Sequence, residues 1–175
     1  MTGATTEYEQ LIRDVPDFPK PGIVFKDIMP MLGDGPAFRA IVDRLADEAR
    51  DWKPDLVMGA EARGFMFGAP LAYALGAGFV AARKPGKLPY TTVSAKYALE
   101  YGFDALEVHI DAIKPGQRVL ICDDLLATGG TSKAKIELVE RLGGTVAGLV
   151  FAIELDFLNG REQLAGYDMA SLIHY

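Results

Sequence analysis

The sequence predicts an α/β domain with a mostly parallel central sheet flanked by helices and a small N-terminal cap. Short apolar runs of strand length alternate with amphipathic helical stretches through the chain. One of those runs ends in two carboxylates, a glycine turn and a new helix, the order in which parallel sheets present their ligand-binding edge. Pro16, Pro19, Pro21 and Gly22 set the first residues apart, because that stretch cannot be helical.

The elements follow in order. A helix is predicted over 5–14, then a rigid extended segment. Asp34-Gly35-Pro36 opens a helix in which Phe38, Ile41, Val42, Leu45, Ala46 and Ala49 recur at helical spacing, with Trp52 packing on the core just after it. A buried strand over 55–60, a helix over 64–75 stopped by Gly76, and a second strand over 78–82 come next. Residues 83–104 are rich in Pro, Gly, Lys, Thr and Ser and read as a long mobile loop, with Thr92-Val93-Ser94 as a weak strand. A strand over 118–122, a helix over 131–142 ended by Gly143-Gly144, and a strand over 146–155 complete the pattern. The expected organisation is one domain over 1–175, with residues 1–33 as a separate N-terminal cap and 83–104 as a flexible loop, which at that length in a compact domain is usually functional.

Composition narrows the class. A chain of 175 residues buries roughly 70% of its unfolded surface, enough for one sizeable core. The longest apolar stretch near the C-terminus, 146–153, contains a glycine and falls far short of the ~20 residues of a membrane span. The first residues carry no basic start followed by an apolar block, and Cys122 has no internal disulfide partner. Both point to a cytoplasmic protein. A net charge of −6 and a pI near 4.9 argue against a nucleic-acid binder.

The distribution of that charge is more informative than its sum. The 38 residues from Ala62 to Leu99 hold no Asp or Glu, where an even spread would place about five, and they carry Arg63, Arg83, Lys84, Lys87 and Lys96. A local site for a small anion is therefore expected on an otherwise acidic protein.

The strongest constellation is Val119-Leu120-Ile121-Cys122-Asp123-Asp124-Leu125-Leu126-Ala127-Thr128-Gly129-Gly130-Thr131. Its glycines let backbone N–H groups approach a phosphate, Thr128 and Thr131 add hydroxyl donors, and the following helix N-terminus adds partial positive charge. Carboxylates beside a phosphate suit sugar hydroxyls or a bridging divalent cation. The pattern describes a phosphorylated ribose lying across a strand end. Neither a P-loop nor a dinucleotide fingerprint occurs.

These thirteen residues resemble the phosphoribosyl-pyrophosphate (PRPP) signature of the type I phosphoribosyltransferases. The blocks Phe18-Pro19-Lys20-Pro21-Gly22-Ile23-Val24-Phe25, Arg83-Lys84-Pro85-Gly86-Lys87-Leu88-Pro89, Leu99-Glu100-Tyr101-Gly102 and Gly160-Arg161-Glu162 make the resemblance closest to the adenine-specific members. It implies the type I fold, a homodimer, purine salvage, and transfer of phosphoribose from PRPP to adenine N9 with Mg²⁺, giving AMP and pyrophosphate. It places Asp123, Asp124, Ala127, Thr128, Gly129, Gly130 and Thr131 on the ribose phosphate, and Glu61, Ala62, Arg63, Arg83, Lys84 and Lys87 on the pyrophosphate, Lys84 being the weaker candidate. Glu100 and Tyr101 match the catalytic loop, with Arg63 as a third catalytic candidate. Val24, Phe25 and Lys26 face the base, and Lys26 stands where many relatives carry Arg. The metal is held mainly through PRPP, with Asp123 or Asp124 as the protein's contribution. A transferase for another purine such as a 6-oxopurine, and a PRPP-binding regulator without catalysis, are the alternatives.

Overall fold

The computed structural model describes residues 6–98 and 103–175, which divide into two compact units, Met1–Val42 and Asp43–Tyr175. In the first, α1 (Thr6–Glu9) is a single turn, and β1 (Arg13–Pro16) pairs antiparallel with β2 (Val24–Asp27). The helix expected over 5–14 is thus cut short. Pro16 biases Val15 toward extended backbone, and the register places Arg13 opposite Asp27 and Asp14 opposite Lys26, where both pairs form ion bridges at 2.6 and 2.7 Å. The Phe18 and Phe25 rings meet edge to face at 5.2 Å. After α2 (Met29–Gly33), α3 (Gly35–Ala49) starts on Asp34, whose Oδ1 accepts the Ala37 N–H at 2.9 Å. The division between the units falls within α3.

The second unit opens with a 3₁₀ turn over Arg50–Trp52 and continues through β3 (Leu56–Ala60), α4 (Arg63–Leu75) and β4 (Gly78–Ala82). Then come β5 (Thr92–Ala98), β6 (Phe103–His109), β7 (Arg118–Leu126), α5 (Gly130–Arg141), β8 (Thr145–Glu154) and β9 (Met169–His174). Five strands form one sheet in the order β4-β3-β7-β8-β9, every neighbouring pair parallel. From β3 the chain winds through α4 to one edge, and from β7 it winds through α5 toward the other. The switch point between β3 and β7 opens a crevice at their C-terminal ends.

Among the described residues, the segment expected as a loop over 83–104 is in large part strand: β5 and β6 pair antiparallel from Thr92↔His109 to Ala98↔Phe103, and the Arg83 backbone bridges to Glu107, with about 84–91 as loop between them. Alternation explains it: Ala95, Leu106 and Val108 are buried, while Ser94 and Lys96 are exposed. Those inward residues pack with Ala134, Leu138 and Val139 of α5 and with Met58, Ala60 and Val119 of the sheet. Among the described residues no helix is long and apolar enough to cross a membrane.

The Trp52 ring lies over Gly148 of β8, so that a Cβ at position 148 would run into the indole. Gly148→Ala is expected to destabilise the protein by about 1–3 kcal/mol through overpacking. Denaturant unfolding checks this, and an unchanged midpoint would show that the indole has room to move.

Candidate active site

The two consecutive carboxylates sit inside β7, whose ladder with β8 runs on to Leu126↔Glu154. Neighbouring residues of a strand point to opposite faces. Asp123 and Asp124 are both buried, and each meets a different cation. Lys135 Nζ of α5 lies 2.6 Å from Asp123 Oδ2, and Arg63 Nε at the start of α4 lies 2.7 Å from Asp124 Oδ2. Burial and then the charge of Asp123 push the Asp124 carboxyl up to about 7, outweighing Arg63 and Lys135. Cys122, one residue earlier, is fully buried, and burial pushes its thiol far up, so it behaves as a small apolar residue.

Beyond β7 the chain turns through residues 127–129 into α5. Gly129 takes the N-cap position with φ +87°, a conformation that favours glycine, and brings no side chain to cap the helix. The first N–H groups of α5 accordingly face the turn without a side-chain acceptor from that position. Gly160 backs the turn so closely that a Cβ there would strike the Ala127 carbonyl. Its neighbour Arg161 anchors this support, with Nε 2.7 and 3.0 Å from the two oxygens of buried Glu154. The Gly160-Arg161 motif therefore serves the turn from behind.

A cavity of about 490 Å³ is lined by these parts, including Arg63, Asp123, Asp124, Thr128, Gly130 and Thr131, and on its other side by Glu61, Lys84 and Tyr97. Glu61 gathers the basic segment. It accepts the Lys84 N–H at 2.6 Å, Arg83 Nη2 at 3.2 Å and Lys87 Nζ at 3.3 Å. Burial works to raise the Glu61 carboxyl, but these three donors together hold it below the ordinary range. Lys84 Nζ pairs with Asp104 at 3.1 Å. Asp104 is held below its ordinary range chiefly by the Ala105 N–H, with Lys84 next. Burial, then the charge of Asp104, raises the Tyr97 phenol, which donates to Asp104 at 3.2 Å.

Of the expected anion-binding residues, the structure brings Glu61, Ala62, Arg63, Lys84, Asp123, Asp124 and the 127–131 turn around one cavity, with Arg83 and Lys87 attached through Glu61. Val24, Phe25 and Lys26 form β2 in the other unit. Glu100 and Tyr101 lie outside the described residues. Sequence reading missed Lys135, Tyr97 and Ser132. Lys135 did carry a signal, since it stands four residues before Val139 and four after Thr131 on a helical face. Tyr97 lay in the stretch taken for a loop.

A parallel sheet with acids and a glycine turn at its switch point suits a phosphorylated ligand, and the class is that of the phosphoribosyl transferase domain, whose family model matches residues 30–165. An adenine phosphoribosyltransferase of Desulfitobacterium hafniense is 60% identical over 97% of this chain and 98% of that protein. The crystal structure of adenine phosphoribosyltransferase from Thermoanaerobacter pseudethanolicus superposes with a TM-score of 0.96 at 56% identity, covering 98% of this chain and all of that one. The Saccharomyces cerevisiae enzyme, solved with adenine and an imino-altritol bisphosphate, gives 0.90 at 40% identity over 96% of this chain and 97% of that one. The chain belongs to the adenine phosphoribosyltransferase family and has the type I fold.

Because the folded chain keeps the Asp124 proton up to about pH 7 and the unfolded chain releases it near 3.8, stability is fullest at low pH and falls as pH rises between those values. From this group the ligand-free protein is expected to lose about 2–3 kcal/mol between pH 5 and 7. Asp124→Asn is expected to flatten that slope in denaturant titrations at the two pH values. An equally steep slope in the variant would contradict it.

Proposed function

We propose that this chain transfers the 5-phosphoribosyl group of PRPP to N9 of adenine, releasing pyrophosphate and forming AMP. The observation that carries this reading is the cavity itself, with two carboxylates and an open helix N-terminus on one wall, and on the other Lys84 and the Glu61 that holds Arg83 and Lys87. A 5-phosphate fits the turn of Ala127, Thr128, Gly129, Gly130 and Thr131, where backbone N–H groups and hydroxyls converge. The ribose hydroxyls then fall beside Asp123 and Asp124. The diphosphate reaches toward residues 61–63, with Lys84 nearest and Arg83 and Lys87 held in reserve on Glu61.

Negative charge grows on the departing pyrophosphate as the C1′–O bond breaks. Arg63, Arg83, Lys84 and Lys87 stabilise that charge most where it is largest, in the transition state. Glu61 orients two of these cations and does not itself contact an anion. Glu100 and Tyr101 remain the proposed catalytic-loop pair, with the carboxylate handling the imidazole proton of the base or steadying charge on the ribose.

Mg²⁺ fits the donor set. Asp124 is a buried carboxyl that lines the cavity, and hard divalent cations take carboxylate oxygens as ligands. When bound, the ion supplies charge neutralisation to the diphosphate. Base recognition is assigned to Val24, Phe25 and Lys26. Lys26 Nζ is bonded to Asp14 at 2.7 Å, which supports purine reading by the backbone of Val24 and Lys26, with Phe25 as the packing surface. A homodimer and a cytoplasmic setting in purine salvage complete the proposal.

In a purified assay with PRPP and Mg²⁺, adenine is expected to drive pyrophosphate release at least about 100-fold faster than hypoxanthine or guanine, on the scale of rejection by a site that hydrogen-bonds its substrate. Turnover of a 6-oxopurine without turnover of adenine would reassign the base. PRPP binding with no release under any purine would favour the regulator.

A further inference from the structure

The ion pair between Asp123 and Lys135 has no part in the reading above. The Lys135 side chain is fully buried, and its helical neighbours Ala134, Ile136, Leu138 and Val139 are buried and apolar. A leucine or methionine would suit such a place. An ammonium there has lost its water, and it is tolerable only because Nζ lies 2.6 Å from Asp123 Oδ2. The other oxygen, Oδ1, accepts the Asp124 N–H at 3.2 Å, and Asp123 lines the cavity. Rotating the carboxyl group would strip Lys135 of its counter-ion. The orientation of Asp123 is therefore fixed from behind the sheet by α5, whereas Asp124 takes its cation from the half-exposed Arg63 at the cavity wall.

We propose that Lys135 is a positioning residue for sugar recognition: by holding Oδ2 it fixes the orientation of the Asp123 carboxylate that accepts one ribose hydroxyl of the phosphoribosyl ligand at the cavity wall. Asp123 is thereby a hydroxyl acceptor, and the capacity for a divalent cation stays with Asp124. This inference rests on the phosphoribosyl reading of the cavity. It concerns a residue that never touches the ligand, on the far side of the carboxylate.

The test compares AMP, 2′-deoxy-AMP and 3′-deoxy-AMP by calorimetry on the wild-type chain and on Lys135→Met. Wild type is expected to bind AMP about 10-fold more tightly than the analogue lacking the hydroxyl that Asp123 accepts, as one charge-assisted hydrogen bond implies. In Lys135→Met that discrimination is expected to shrink to about 2-fold, with affinity for the critical deoxy analogue unchanged. Lys135→Gln keeps a donor for Oδ2 and is expected to recover part of the discrimination, which a purely structural role would not produce. If Lys135→Met does not fold, the charge-free pair Lys135→Met with Asp123→Asn takes its place, and full discrimination in that variant would overturn the proposal. Equal weakening toward all three ligands would also overturn it and leave Lys135 as a packing element. A wild-type chain that binds none of the three would overturn the phosphoribosyl reading and this inference together.

Discussion

Two adjacent carboxylates buried in the central strand of a parallel sheet are a costly arrangement, and much of the second unit is organised around them. Consecutive strand residues point to opposite faces, so each carboxylate is bonded to a cation of its own. Lys135 comes from α5 on one face and Arg63 from the start of α4 on the other, each within 2.7 Å of its partner. Both helices must therefore begin near the same end of the sheet, which is what the switch between β3 and β7 provides. Even with both cations in place, burial and then the charge of Asp123 keep the Asp124 carboxyl above the ordinary range.

That cost links the fold to the proposed ligand. In the proposed reading, a phosphorylated sugar accompanied by a divalent cation would bring hydroxyl donors and positive charge to the carboxylates, and negative charge to the helix terminus and to the residues gathered on Glu61. The turn at residues 127–131 is held open for this by Gly160 and Arg161, which belong to a segment nearly thirty residues further along the chain. Apart from Gly160 and Arg161, little in the motif itself specifies that support.

What the sequence made legible was local. Val119 to Thr131 carries its own strand, acids, turn and helix start in thirteen consecutive residues, so its structure and chemistry could be read together. The pairing of β5 with β6 was hidden because Thr92 to Ala98 mixes small, polar and charged residues, which blurs the period-2 alternation of a strand. Lys135 was hidden because a lysine in a helix ordinarily marks the solvent face, and only the buried Asp123 twelve residues earlier makes it an interior residue. The carboxylate-free stretch from Ala62 to Leu99 points by its charge to a local anion site. In space Glu61 and Asp104, from just outside that stretch, fold back onto Arg83, Lys84 and Lys87. A charge run along the chain is thus partly neutralised within the fold itself.

The central claim is that the end of β7 and the N-terminus of α5 hold the phosphoribosyl group. Amide hydrogen exchange with and without saturating AMP tests it most directly. Slowed exchange is expected across residues 123–133, where the carboxylates, the turn and the first helical N–H groups meet the ligand. Saturating AMP with unchanged exchange over that stretch, and protection confined to other segments, would contradict the claim.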